Sequence, residues 1–249
     1  MSPAKKPVAA RIRKPREKDG DGREKAKPKN FTVGGGSAAS RKDKASGFPL
    51  AQAAFTMSIH DPLQLPKAGA PEIAIAGRSN AGKSSAINTL AGRRRLAFVS
   101  KTPGRTQLIN FFSLGSSAFL VDLPGYGYAG VPYDVREHWR HLVGTYVGTR
   151  ESLAAVVVVM DIRHPLTDLD RTLLDWLREA GRKTHVLLTK ADKLSKQAQQ
   201  STLAKVRRDL AADYPDASVQ LFSSLKREGI EEAARILSRL AVRKKQCPG

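Results

Sequence analysis

The chain has 249 residues, with 43 Lys+Arg against 23 Asp+Glu for a formal net charge of +20, and 41% of it is hydrophobic. A single cysteine, Cys247, excludes an intramolecular disulfide and with it a disulfide-built secreted scaffold, so a reducing, cytoplasmic setting is expected. No apolar run approaches the ~18 residues of a membrane span, no apolar segment near the N-terminus suits a signal peptide, and the charge points to a polyanionic partner.

Residues 1–50 hold 14 Lys/Arg and 5 Asp/Glu, which is +9 of the +20, with almost no apolar periodicity. Such a segment cannot bury enough surface to offset its ordering entropy, so 1–47 is expected to be a disordered basic arm. It reads either as a solvated tail or as a grip on an RNA or DNA backbone, and charge alone does not separate the two. A folded domain is expected over 48–242, still carrying most of the remaining +11, and a short basic tail over 243–249 (Arg243-Lys244-Lys245).

Within the domain, strand and helix signals alternate. Phe55–Ile59 reads as a short strand, Glu72–Ala76 as a strand ending in a glycine-rich turn, and Lys83–Leu90 as a helix followed by the basic cluster Arg93-Arg94-Arg95, Lys101 and Arg105. Leu108–Leu114 and Ala118–Asp122 form a hairpin pattern around Gly115-Ser116-Ser117. A helix over Pro132–Val147 precedes Ala154–Asp161, a β-branched run typical of a buried parallel strand. Leu166, Leu169, Leu173, Leu174 and Leu177 recur at helical spacing, with Thr167 and Asp170 placed as a capping pair. His185–Leu188 is the next strand, Leu203, Val206 and Leu210 mark a helix, Ser218–Phe222 a strand, and Ile230, Ala233, Ala234, Leu237 and Leu240 a last helix. This alternation specifies an α/β fold with a mostly parallel sheet covered on both faces, whose ligands bind beyond the carboxyl ends of the strands.

The motifs fall at those ends. Gly77-Arg78-Ser79-Asn80-Ala81-Gly82-Lys83-Ser84 matches G-x-x-x-x-G-K-[ST] between a strand and a helix. The glycines let successive N–H groups point at phosphates, Lys83 neutralises the β- and γ-phosphates, and the Ser84 hydroxyl suits a Mg²⁺ ligand. Asp122-Leu123-Pro124-Gly125 closes a hydrophobic strand, where a carboxylate can hold a Mg²⁺-bound water and the Gly125 N–H can meet a γ-phosphate. Between them lies the basic loop Lys101-Thr102-Pro103-Gly104-Arg105-Thr106-Gln107, with Thr106 or Thr102 as the second hydroxyl ligand of the metal. Thr189-Lys190-Ala191-Asp192 reads as base recognition: the Asp192 carboxylate accepts from guanine N1–H and its 2-amino group, which adenine lacks, so an ATPase is disfavoured. Lys190 would lay its stem along the base plane, and Phe222-Ser223-Ser224 would set a backbone N–H near the guanine oxygen.

Taken together, G-R-S-N-A-G-K-S, K-T-P-G-R-T-Q-L-I-N-F-F, V-D-L-P-G-Y-G-Y-A, T-K-A-D-K and F-S-S resemble the EngB (YihA/YsxC) family, bacterial GTP-binding proteins of the TrmE–Era–EngA–EngB–septin group, over roughly Pro49 to Leu240. The resemblance implies a Ras-like three-layer α/β/α domain with a mostly parallel six-stranded sheet and one antiparallel strand. It also implies GTP and Mg²⁺ as ligands, a role in assembling the large ribosomal subunit through contact with that subunit or its rRNA, and a need in normal cell division and septation. By the same likeness, Gly77–Ser84 hold the phosphates, and Ser84 with Thr106 ligate Mg²⁺. Gly104, Arg105, Thr106, Gln107 and Leu108, and separately Asp122–Gly125, form the two switches; Thr189–Asp192 and Phe222–Ser224 hold guanine. Ala81 and Ala86 stand where the family usually has Val and Leu.

Small GTPases orient the attacking water with a Gln just after the D-x-x-G glycine; here that place is Tyr126. Slow intrinsic hydrolysis is therefore expected, with help from a partner or a cation. Lys83, Thr106 and Asn80 are the candidate catalytic residues. Asn80 either ligates K⁺ beside the β- and γ-phosphates or only shapes the loop. Gly125, Gly127 and Gly130 favour a second switch that orders on γ-phosphate binding. Trp139 and Trp176 read as helix-packing residues, and His138 and His141 have no third ligand at zinc spacing. The leading expectation is a monomeric GTPase switch that docks on the ribosome; the rival is a constitutive RNA-binding protein with nucleotide as a structural ligand.

Overall fold

A computed structural model describes residues 49–97, 108–127 and 133–241. The basic arm, the tail over 243–249, Tyr128, Gly130 and the loop holding Lys101, Thr102, Gly104, Arg105, Thr106 and Gln107 lie outside the described residues.

The strands are β1 (Ala53–Ile59), β2 (Glu72–Gly77), β3 (Ile109–Leu114), β4 (Ala118–Asp122), β5 (Leu153–Asp161), β6 (Lys183–Thr189) and β7 (Ala217–Leu221). The helices are α1 (Lys83–Leu90), α2 (Tyr133–Thr149), α3 (Asp168–Glu179), α4 (Lys196–Asp213) and α5 (Ile230–Ala241). The sheet order is β1-β3-β4-β2-β5-β6-β7. β3 runs antiparallel to β1 and β4, and the remaining pairings are parallel. The sheet thus has seven strands, as many as the strand signals along the chain, where the family resemblance implied six. The seventh is β1, whose Ala53–Ile59 stretch takes up the free edge of β3; Phe55 packs edge-on against Phe112 and Ser58 donates to Asn110 at 2.6 Å.

The period of two along each strand sorts the core into two layers. Ala74, Ala76, Val156, Val158 and Met160 face α2, α3 and α4, where Leu142, Tyr146, Leu173, Leu177 and Leu210 cover them. Ile73, Ile75, Val157 and Val159 face α1 and α5, against Ile87, Leu90, Ala233 and Leu237. β5 is covered on both sides, as its V-V-V-V run requires.

The leucine stripe of α3 starts later than its spacing suggests. Asp170 accepts from the Thr167 backbone N–H (2.9 Å) and hydroxyl (2.8 Å), which fixes the helix start after Leu166, itself at φ 54°. Leu169 is left 47% exposed, while Leu173, Leu174 and Leu177 are buried.

The start of β2, the end away from the motifs, is closed by a buried charge cluster. The Glu72 carboxylate accepts from Arg150 Nε (3.0 Å), Tyr146 Oη (2.8 Å) and Ser152 Oγ (2.7 Å), while Arg150 also donates to the Pro66 carbonyl. Every lone pair there has a donor, the condition under which a buried ion pair is tolerated. Burial, with Glu72 alongside, raises the Tyr146 phenol well above its ordinary pKa.

Candidate functional site

Gly77, Asp122, Asp161, Thr189 and Phe222 end or directly follow β2, β4, β5, β6 and β7, so one rim collects residues far apart in sequence. Gly77 to Ser84 turn from β2 into α1. Asn80 (φ 64°) and Gly82 (φ 100°) are left-handed, which curls the loop back on itself. A Cβ on Gly77 would lie 2.7 Å from the Val159 carbonyl, so the strand end admits only glycine. The first helical bond of α1 runs from Ala86 N–H to the Gly82 carbonyl. The N–H groups of Lys83, Ser84 and Ser85 therefore precede the helix ladder, at the kind of helix end that suits an anion.

Lys83 Nζ is ion-paired and hydrogen-bonded to Asp122 Oδ1, both side chains nearly buried. This brings together the cation of the phosphate loop and the carboxylate of D-L-P-G. The D-L-P-G segment is also sewn to the loop by its backbone: Ser79 N–H donates to the Tyr126 carbonyl (2.8 Å) and Tyr126 N–H to the Gly77 carbonyl (3.4 Å). A Cβ on Gly125 would come within 3.3 Å of Ser79 Oγ. Among the described residues Ser79 Oγ, beside Gly125, is buried without a hydrogen-bond partner. Ser84 and Asp122 are hard oxygen donors of the kind Mg²⁺ takes. Among the described residues no group of three or more His, Cys, Asp or Glu could hold a metal ion.

Tyr126 turns away from this cradle. It is buried, its hydroxyl donates to Asp170 at 2.8 Å, and its ring meets Trp139 edge-on at 5.7 Å. Burial first, then the Asp170 charge, pushes its phenol well above the ordinary value. Trp139 donates its indole N–H to the Pro124 carbonyl (2.9 Å) and stacks on Trp176 at 6.0 Å. The tryptophans are packing residues, and one of them also buttresses D-L-P-G. Arg78 Nε stands 3.8 Å from Asp170.

At the other end of the rim, Thr189 Oγ1 donates to the Ala81 carbonyl, tying the Thr189–Asp192 segment to the Gly77–Ser84 loop. Lys190, left-handed at φ 57°, reaches Asn80's carbonyl (2.7 Å) and Asp161 Oδ2 (2.9 Å). Asp161 also takes Arg163 Nη2 at 2.6 Å. Burial alone would raise the Asp161 carboxyl, but the Arg163 and Lys190 hydrogen bonds outweigh it and hold the group well below the usual carboxylate range. The Asp192 carboxylate accepts from Ser223 Oγ at 2.6 Å, and that hydroxyl in turn accepts from Lys226 N–H at 3.1 Å. Ala191 N–H donates to the Phe222 carbonyl (3.2 Å) and Ser223 N–H to Glu228's (3.1 Å).

Sequence reasoning missed Asp161 as the partner of Lys190 and Ser223 as the partner of Asp192. A carboxylate ending the V-V-V-V-M-D strand at the ligand rim was the available signal for the first. Leu108, the last residue of the first-switch assignment, is half-buried just before β3.

A family model described as "50S ribosome-binding GTPase" matches residues 72–190. The chain is 58% identical over 192 residues to a "probable GTP-binding protein EngB" of Methylobacillus flagellatus, covering 77% of this chain and 93% of that protein. It is 60% identical over 187 residues to the protein of the same name from Azoarcus sp., covering 75% and 90%. A crystal structure titled as a probable GTP-binding protein engB shares the fold with a TM-score of 0.56 at 24% identity, over 68% of this chain and 98% of that one. Era in complex with MgGDPNP and a 16S ribosomal RNA segment has the same TM-score at 16% identity, over 72% and 59%.

Proposed function

We propose, because the chain belongs to the EngB family of GTP-binding GTPases, that it is a Mg²⁺-dependent switch that cycles between GTP and GDP on the large ribosomal subunit. The observation that carries this reading is the single rim that holds both the Lys83–Asp122 pair and the Asp192–Ser223 pair, with Thr189 and Lys190 tied to the Gly77–Ser84 loop at Ala81 and Asn80. Phosphates would draw Lys83 from Asp122, with the N–H groups of Lys83 to Ser85 directed at their oxygens. Ser84 would hold Mg²⁺ together with Thr106, and Asp122 would bind one of its waters; the ion supplies neutralisation of the phosphate charge. Gly125 N–H would read the γ-phosphate and so serve as the sensor of the second switch.

Guanine would lie on the Lys190 stem with its N1–H and 2-amino group on Asp192. The Ser223 N–H is engaged by Glu228, which leaves the Ser224 N–H as the donor for the guanine oxygen. Tyr126 has its proton committed to Asp170, which supports slow intrinsic hydrolysis stimulated by a partner or by K⁺ at Asn80. Among the described residues no helix is long and apolar enough to cross a membrane. The proposed setting is the cytoplasm, with the protein as a monomer, and the family likeness extends the role to cell division and septation.

Calorimetric titration with GDP, GTP and ATP tests the nucleotide assignment. The wild type is expected to bind guanine nucleotides and reject ATP, and Asp192→Asn to exchange that preference for xanthine nucleotides. An Asp192→Asn protein that still prefers GTP contradicts the assignment.

A further inference from the structure

The loop that leaves α1 carries Arg93, Arg94 and Arg95, all exposed. It is held in place twice over. Gly92 is left-handed (φ 63°), Gly92 N–H donates to the Thr89 carbonyl (3.2 Å) and Arg93 N–H to the Asn88 carbonyl (2.9 Å), the paired bonds of a Schellman cap. The Asn88 side chain then closes a clamp: its Oδ1 accepts from Leu96 N–H and Ala97 N–H, both 2.8 Å, and its Nδ2 donates to the Ala97 carbonyl at 2.9 Å. Leu96 and Ala97 are buried in the core layer of α1 and α5. The three arginines are thus presented from a loop fixed at both ends.

Arg140, Arg150, Arg163, Arg171 and Arg178 each hold a carboxylate. Among the described residues no acidic side chain pairs with Arg93, Arg94 or Arg95. Three adjacent like charges repel one another, and among the described residues no carboxylate offsets that. A polyanion would, and guanidinium forks match phosphate oxygens bidentately. Because the loop is already ordered by Asn88, binding does not have to bear the entropy of ordering it.

We infer that Arg93, Arg94 and Arg95 form a preorganised docking surface for the phosphodiester backbone of structured RNA. The inference rests on the ribosomal reading above and names the surface it would use. RNA is favoured over an anionic membrane because Leu96 and Ala97, the apolar residues of this loop's fixed end, point into the core and not outward. The position also connects the surface to the nucleotide: the loop leaves the helix that begins at Lys83 and leads directly, at residue 98, into the segment containing Thr106.

The test compares full-length wild type with two charge-matched triple variants, Arg93→Gln/Arg94→Gln/Arg95→Gln and Lys205→Gln/Arg207→Gln/Arg208→Gln. The second set lies exposed on α4. Binding to purified large-subunit rRNA is measured across a salt series, with GDP affinity of each protein as a check on folding. The loop variant is expected to lose at least about 10-fold in RNA affinity and about 2–3 from the slope of log K against log salt. The α4 variant should stay within about 3-fold, and both should bind GDP as the wild type does. Equal losses in the two triples would mean diffuse attraction and overturn the proposal. So would a loop variant that keeps wild-type RNA binding but loses binding to vesicles of anionic phospholipid. Failure of the wild type to bind ribosomal subunits in a nucleotide-dependent way would instead count against the ribosomal reading, whatever the RNA comparison shows.

Discussion

Tyr126 occupies the place where small GTPases keep a water-orienting glutamine, and replacing it by Phe separates a chemical role from a structural one. Asp170 is fully buried and accepts from Tyr126 Oη, Thr167 N–H and Thr167 Oγ1, with Arg78 Nε at 3.8 Å. Tyr126→Phe keeps the ring against Trp139 and removes one of three hydrogen bonds to a buried carboxylate. A hydrogen bond to a charged group contributes about 1.5–3 kcal/mol. For a domain of this size each kcal/mol moves Tm by roughly 2–4 °C, so the variant should melt about 3–12 °C lower. Single-turnover GTP hydrolysis below that Tm should stay within about 3-fold of wild type, because the lost hydroxyl points to α3. Unchanged Tm would show that the Asp170 contact contributes nothing. A fall in rate beyond about 10-fold, or 1.4 kcal/mol, would place the phenol in the chemistry and refute the argument.

Removing Arg150 (Arg150→Met) strands the Glu72 carboxylate, 1% exposed, with only Tyr146 and Ser152 as donors. The expected cost is about 3–5 kcal/mol in urea unfolding, and a loss below 1 kcal/mol would contradict it. His185 is buried between Ser218 Oγ (2.8 Å) and Gln220 Oε1 (3.1 Å), and burial lowers its pKa to about 4. The fold holds it neutral while the unfolded chain protonates near 6.5, so stability is lost as pH falls through that window. The loss between pH 7 and 5 should be about 2 kcal/mol, and His185→Gln should flatten it; parallel pH profiles would sink the assignment. If K⁺ sits at Asn80, hydrolysis in K⁺ should exceed that in Na⁺ and Asn80→Ala should abolish the difference, whereas equal rates in the two salts would remove the cation from the account.

Local signals were readable because they act over a few residues. The Lys83–Leu90 helix follows Gly82 within the G-x-x-x-x-G-K-S motif, and the Thr167–Asp170 cap spans one turn. What escaped reading joins residues far apart in the chain. Asp170 caps α3, as its spacing says, yet its second oxygen serves Tyr126, 44 positions away. Ser223 meets Asp192 across 31 positions, and the Glu72 cluster spans 74 to 80. Such pairs depend on strand order, which periodicity does not encode. The extra strand has a similar origin: Phe55–Ile59 reads as a strand, but its place on β3 is a property of the assembled sheet.

The central claim is that nucleotide state governs attachment to the large ribosomal subunit. Co-sedimentation of the full-length protein with purified subunits, in GDP and in a non-hydrolysable GTP analogue at moderate and high salt, tests it most directly. The account predicts retention on the large subunit with the analogue alone. Retention that is equal in both nucleotides and disappears with salt would contradict it and leave a constitutive, charge-driven RNA binder.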